Sequence, residues 1–330
     1  MFKKDEMREK YTEVFLLDSY RNNGIFSREY LLNNDFNIIQ NLIEQKKVKP
    51  ESVGDAYLNI LQFDIISKIM AYIEDLVIFS ESFRTGKLFY EILDKEDVGN
   101  VIKRFFESLD SFSTKDFLKI MGYLDLEKEN FGTNKDIVNK LIQSNITQIK
   151  YIFKIFSDFS ITHHSSFRRL KHASTPITFG QSGFPFKKYG DFSSHSIISI
   201  NEDALQKMKV IPFSEDVIFA YKVIAKELYK ILKDIVTNRI SKIHRQIEGV
   251  MPLIIFKPDD FSNDELRLLK KIIPEYYVKH SKIETSAHMN ANINIQEDFK
   301  WYADLPEFVK SAKEMSRRKK EFQKIWDSIQ

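Results

Sequence analysis

The placement of proline limits this chain more than any other feature. Of its eight prolines only Pro50 precedes Pro176, so nothing between Glu51 and Thr175 deletes a backbone donor or clashes with the preceding turn of a helix. Long helices are free to form there. Leu58, Leu61, Ile65, Ile69, Ile73 and Leu76 recur at steps of three and four, the spacing that lines one helical face, and predict a helix from about Ser52 to Phe83. A second is predicted from Lys135 to about Lys171, striped by Val138, Ile142, Ile149, Phe153, Phe156, Phe159 and Phe167. Shorter helices are expected over Val98 to Leu109 and Thr114 to Leu124, and another over Glu29 to Gln45.

The grammar changes from Ser174 to Pro212. Gly180, Gly183 and Gly190, three prolines and alternating stretches such as His195 to Ile200 favour turns and short strands. Residues 174–212 therefore read as a β-hairpin or ordered loop inserted between helices. Helix resumes after Ser214, an N-cap residue followed by Glu215 and Asp216, whose charges suit the positive end of the helix dipole. Val217, Tyr221, Ile224, Leu228, Ile231 and Ile235 form its stripe. A short strand over Met251 to Phe256, a helix from Ser262 to Ile273 and a terminal helix from Pro306 to Ile329 complete the pattern. The expected fold is mainly α, a bundle of long helices. N-terminal helices occupy 1–50, a helical core 51–249 with the insertion 174–212, and a C-terminal helical extension 250–330 packs on that core.

Composition removes several function classes. With 330 residues, 43% of them hydrophobic, the chain can bury a large core. Its 50 basic and 47 acidic residues leave a net charge of +3, so affinity for a polyanion must come from local patches. Having no cysteine, it lacks disulfides, thiolate zinc ligands and cysteine nucleophiles. The charged N-terminal residues, with no apolar run behind them, and the lack of an uninterrupted membrane-length stretch predict a cytoplasmic protein with no membrane partner. Neither a GxxxxGK[ST] loop nor a GxGxxG turn is present. Gly180-Gln181-Ser182-Gly183 falls one residue short of a GxSxG elbow. No cofactor is called for.

Arg and His cluster at two helix ends. Within His163-His164-Ser165-Ser166-Phe167-Arg168-Arg169-Leu170-Lys171-His172, a persisting helix sets His164, Arg168 and His172 on one face. Two imidazoles flanking a guanidinium suit metal-free phosphodiester cleavage, the imidazoles moving protons and the Arg holding phosphoryl charge. The same residues also read as a basic helix end facing a negative dipole terminus. Further along, Asn238-Arg239-Ile240-Ser241-Lys242-Ile243-His244 carries an Arg and a His five positions apart, about 140° around a straight helix. That pair converges only if the helix breaks or a second subunit supplies one member; otherwise Arg239 is a snorkelling helix-end residue.

Two long proline-free helices, the basic end Phe167-Arg168-Arg169-Leu170-Lys171-His172 and a later helix bearing Arg239-x4-His244 together resemble the HEPN superfamily of all-α domains. The resemblance spans residues 51–249. It implies a helical bundle, dimerisation, an RNA or other nucleotide-bearing partner and, in active members, a metal-independent ribonuclease site shared across the dimer. Arg239 would then hold the phosphate and His244 act as acid or base. Active members carry a polar residue directly after that Arg, where this chain has Ile240.

Three further groups complete the candidates. Arg169 and Lys171, with Lys313, Arg317 and Lys320 of the terminal helix, are candidate phosphate contacts, although a basic stripe is equally the solvated face of an amphipathic helix. His280, Glu284 and His288 have metal-ligand spacing in a stretch that reads as loop, and are expected to be surface residues. Asp64, Lys68, Glu74 and Asp75 interrupt the first long helix and read as an internal ion-pair network, as partners holding the Arg and Lys cluster near Arg168, or as a solvated face. The rival to the nucleic-acid reading is a non-catalytic helical scaffold or protein-interaction module.

Overall fold

A computed structural model describes residues 4–122, 132–171, 177–181, 193–200, 208–244, 253–255, 260–272, 278–280, 309–310 and 313. Nine helices, α1 (Lys4–Ser19), α2 (Phe26–Val48), α3 (Asp55–Thr85), α4 (Phe89–Lys95), α5 (Val98–Glu107), α6 (Thr114–Met121), α7 (Lys135–Lys171), α8 (Glu215–His244) and α9 (Asn263–Ile272), carry most of the described chain. The mainly α expectation holds. Among the described residues no helix is long and apolar enough to cross a membrane.

Helix α3 is the axis of the bundle. Its apolar residues are not confined to one stripe: Phe63, Ile65, Ile66, Tyr72, Val77 and Ile78 are all buried, the signature of a helix enclosed by others. It packs against α2, α4, α5, α6, α7 and α8. Gly86, at φ +80°, ends it in the left-handed conformation and donates its N–H to the Ser82 carbonyl at 2.8 Å, a cap for which glycine suffers no Cβ penalty. Just before that cap, Arg84 meets the buried Glu81 carboxylate through Nε and Nη2, each at 2.8 Å. This paired contact lets a carboxylate stay in the core.

Side-chain contacts give the directions of the neighbours. At the start of α3, Gln62 donates to the Tyr221 hydroxyl of α8 at 3.5 Å, and near its end Phe83 lies under the Arg239 guanidinium at 5.2 Å. Both helices therefore run the same way. Phe159 and His163 of α7 meet the Tyr221 ring edge-on, whereas Lys150, earlier on α7, lies over Phe117 of α6. Phe117 touches Phe112, whose ring carries Arg84 near the end of α3. Helix α7 is thus antiparallel to α3, with its C-terminal end beside the start of α3 and α8.

The first two helices form one arm, joined through a π-helical turn at Tyr20–Ile25. Tyr20 and Arg28 lie eight residues apart, about 80° around a regular α-helix. The wider π turn reduces that offset, and both side chains donate to the same Asp75 oxygen of α3. The expected ion network around Lys68 is also present: its ammonium meets Asp64 at 2.6 Å and Asp35 of α2. It ties α2 to α3.

A simple hairpin is not what occupies residues 174–212. The backbone there carries β1 (Ile177–Gln181), β2 (Ser193–Ile200) and β3 (Met208–Phe213), antiparallel in the order β1-β2-β3. The third strand leads directly into α8, and its buried Ile211 and Phe213 join the bundle core. The last strand of the segment is therefore packed with the helices. Further on, β4 (Leu253–Ile255) pairs in parallel with β5 (Val278–His280).

Candidate functional site

The two Arg and His clusters lie at opposite ends of the α3 axis. His163 reaches Tyr221, itself bonded to Gln62, whereas Arg239 lies on Phe83. Gln62 and Phe83 are separated by about 32 Å of helix at 1.5 Å per residue. Within one chain the pair Arg239 and His244 therefore cannot share a cleft with His164 and Arg168.

Each cluster has its own geometry. Helix α7 persists to Lys171, so His164 and Arg168 occupy one face by backbone position. His164 is exposed, and its neighbour His163 is fully buried against Phe159 at 4.4 Å. The side chains of Arg168, Arg169 and Lys171, and all of His172, lie outside the described residues. Helix α8 runs unbroken from Glu215 to His244, which leaves residues 239 and 244 about 140° apart around its axis. The side chain of His244 is outside the described set.

Arg239 already has an anion. Its Nε donates to Glu13 Oε1 of α1 at 3.1 Å and its Nη2 to Oε2 at 3.4 Å, with the guanidinium over the Phe83 ring. Glu13 is 1% exposed, so this carboxylate depends on Arg239 for its compensation. The guanidinium that the resemblance assigns to a phosphate thus fastens α1 to α8. Lys313, the described member of the terminal basic stripe, bonds Asp216 at 3.3 Å and lies 5.6 Å from the centre of the Phe219 ring. Arg317 and Lys320 fall outside the described residues, as do Glu284 and His288. His280 sits on β5.

A cleft of about 1050 Å³ opens between α5 and α7, and it includes His164. Ile102 and Ser160 lie deep within it, and Phe106, Ile161 and Phe167 give it apolar surface. Ile161 is 58% exposed, uncommon for a large aliphatic side chain beside a core. Among the described residues Glu74, Asp97 and Glu107 line the cleft together with Lys103 and His164. Asp97 caps α5 by accepting from the Asn100 N–H at 2.9 Å, so the positive end of that helix dipole already faces a carboxylate. Lys103 and Glu107 pair loosely at 3.9 Å and are mostly exposed.

A second polar cluster gathers where the π turn, α2, α3 and α8 meet. Burial pushes the Asp75 carboxyl above its ordinary range, against the opposing charge of Arg28 and the bonds from Tyr20 and Arg28. Burial also raises Tyr20, with Asp75 adding to the shift. Tyr229 is pushed up to about 12 by burial and by its bond to Glu29. Burial thus biases each of these groups toward its neutral form, and the bonds from Tyr20 and Arg28 to Asp75 anchor the arm.

No protein-family model, curated protein or solved structure matches the chain.

The α5–α7 cleft escapes a sequence reading. Its lining comes from three helices, and its carboxylates are scattered from Glu74 to Glu107. The one available signal was Ile161, an aliphatic residue off the buried stripe of α7.

Proposed function

We propose that this chain is a non-catalytic helical scaffold, a protein-interaction module. One observation carries the reading: Arg239, the residue best matched to a phosphate-holding role, is engaged by the buried Glu13 carboxylate. Detaching it for a phosphate would strand an ionised carboxylate in the core, at a cost of several kcal/mol.

A HEPN-like RNA-binding reading keeps one supporting observation, the unbroken run of α7 that sets His164 and Arg168 on one face. In that reading a homodimer would bring the α7 end of one subunit to the α8 end of the other. A fluorescent single-stranded RNA at low and high salt separates the two, because phosphate contacts weaken steeply with salt. The scaffold reading expects no RNA affinity at low salt. It also expects the same background cleavage in chelator from the wild-type protein, His164→Ala and His244→Ala. Salt-sensitive RNA binding, or chelator-resistant cleavage lost in either variant, overturns it.

A further inference from the structure

We propose that the outer face of the α1–α2 arm is a self-association surface, on which a second copy of this chain docks antiparallel about a two-fold axis near Asn22 and Asn23. It goes beyond the interaction-module reading, which names neither a surface nor a partner, and it uses neither Arg239 nor the basic end of α7.

The exposed face of the arm is apolar about its centre. Phe15, Phe26 and Tyr30 keep 73%, 62% and 68% of their surface in water, and Leu16 and Leu31 beside them are exposed as well. At about 200 Å² per ring, the three aromatics alone present roughly 400 Å², a size at which apolar surface on a monomer commonly marks an interface. That is half of the ~800 Å² per partner that a standard complex buries. The two leucines and the side chains between the rings extend it toward that area.

The polar part of the face decides the occupant. From Phe15 to Asn41 the remaining exposed positions of the arm are Asn or Ser, apart from Arg28, whose guanidinium is bonded to Asp75. At the edges Asp18 and Arg21 pair with each other, and Glu29 bonds Tyr229 of α8. In a chain of 29% charged residues, this is the charge depletion and aromatic enrichment of an interface core. Amides and hydroxyls both donate and accept, so the face is matched by its own copy and brings no like charges together. A nucleic acid or a charged helix finds no opposite charge to meet. A lipid surface would have to desolvate Asn22 and Asn23, which lie between the rings.

Side-chain size fixes the direction. About an axis between residues 22 and 23, antiparallel packing sets Phe15 of one copy opposite Tyr30 of the other and Phe26 opposite Ser19, each contact made twice as two-fold symmetry requires. Gly24 adds no bulk where the helices cross. Parallel packing would instead set Phe26 on Phe26 and Ser19 on Ser19, a clash of rings beside a void.

The test uses the full chain, which is expected to sediment as a dimer at equilibrium. Phe26→Glu and Tyr30→Glu change exposed side chains, so the fold should tolerate them, and circular dichroism melting verifies it. Each should raise the dimer dissociation constant about a hundredfold, tenfold for each of two symmetric copies. Ile161→Glu, in the α5–α7 cleft, should leave the dimer unchanged. Because the chain holds no cysteine, single replacements map the axis without removing a ring. A short bis-maleimide should link Asn23→Cys to its copy, whereas Asn41→Cys, about 55 Å from its copy in this register, should stay unlinked. A monomer at every concentration, a dimer unmoved by both glutamates, failure to link at residue 23 or linking at residue 41 overturns the surface. So does co-sedimentation with phosphatidylcholine vesicles that Phe26→Glu abolishes, which would give the face to a lipid. None of these results bears on the interaction-module reading, which the RNA titration tests.

Discussion

Glu13 and Arg239 stand 226 positions apart in the chain, yet their side chains meet at 3.1 Å and close the first helix onto the eighth. The two ends of this bond are unequally placed. Glu13 is enclosed, whereas the Arg239 side chain keeps 23% of its surface. Glu13→Gln leaves a guanidinium that still reaches water, and is expected to cost about 1–3 kcal/mol, below the range for a fully buried pair. Arg239→Met strands the enclosed carboxylate and should cost more. Urea unfolding of both single variants and the double variant checks this, and a double variant no better than the sum of the singles would refute the coupling.

Gly24 is needed for the π turn to close on Tyr20. A Cβ built there stands 3.0 Å from Tyr20 Cδ2, and that ring is backed by Phe79 at 4.9 Å and tethered to Asp75. In an ordinary helix Gly→Ala gains about 0.5–1 kcal/mol. Here overpacking of about 1–3 kcal/mol should outweigh that gain. Gly24→Ala is expected to lower the urea midpoint, and a raised midpoint would show that the ring is free to yield.

The arm gives the protein a pH dependence of definite sign. The folded-state Asp75 carboxyl lies above its ordinary value of 3.8 because burial outweighs its partners. A group raised on folding contributes stability that is full below the unfolded value and is lost as pH rises through the folded one. Asp75→Asn removes that loss. Relative to wild type, the variant should gain stability as pH climbs above 3.8 and level off once the native carboxyl is ionised. Unfolding free energies measured across that range test it, and a constant difference would contradict the expectation.

Asn238 joins α6 to α8 through a buried bond from Nδ2 to the Met121 carbonyl at 2.8 Å. Met121 is the last residue of α6, where carbonyls lack helical partners. Asn238→Leu keeps the volume and orphans that oxygen, an expected loss of about 1–3 kcal/mol. Amide exchange should quicken in residues 114–122 of the variant and stay slow in α3.

The long helices were legible because proline and spacing act locally. The predicted bounds of the first, Ser52 to Phe83, differ by two or three residues from Asp55–Thr85, and the second matches at Lys135–Lys171. The π turn left no such trace. It arises because Tyr20 and Arg28 share one oxygen on another helix, a long-range requirement that periodicity within the arm does not carry. The partner of Arg239 was illegible for a related reason. An Arg in an apolar stripe signals that something compensates it, but only the fold brings Glu13 there. The three-stranded sheet exceeded the expected hairpin because its last strand belongs to the α8 entrance.

Glu74 and Asp75 are consecutive in α3, yet one lines the cleft and the other secures the arm. Both faces of the protein thus hang on a single helical turn. A shift or rotation of that turn therefore displaces the cleft wall and the arm's anchor together, like two spokes on one axle.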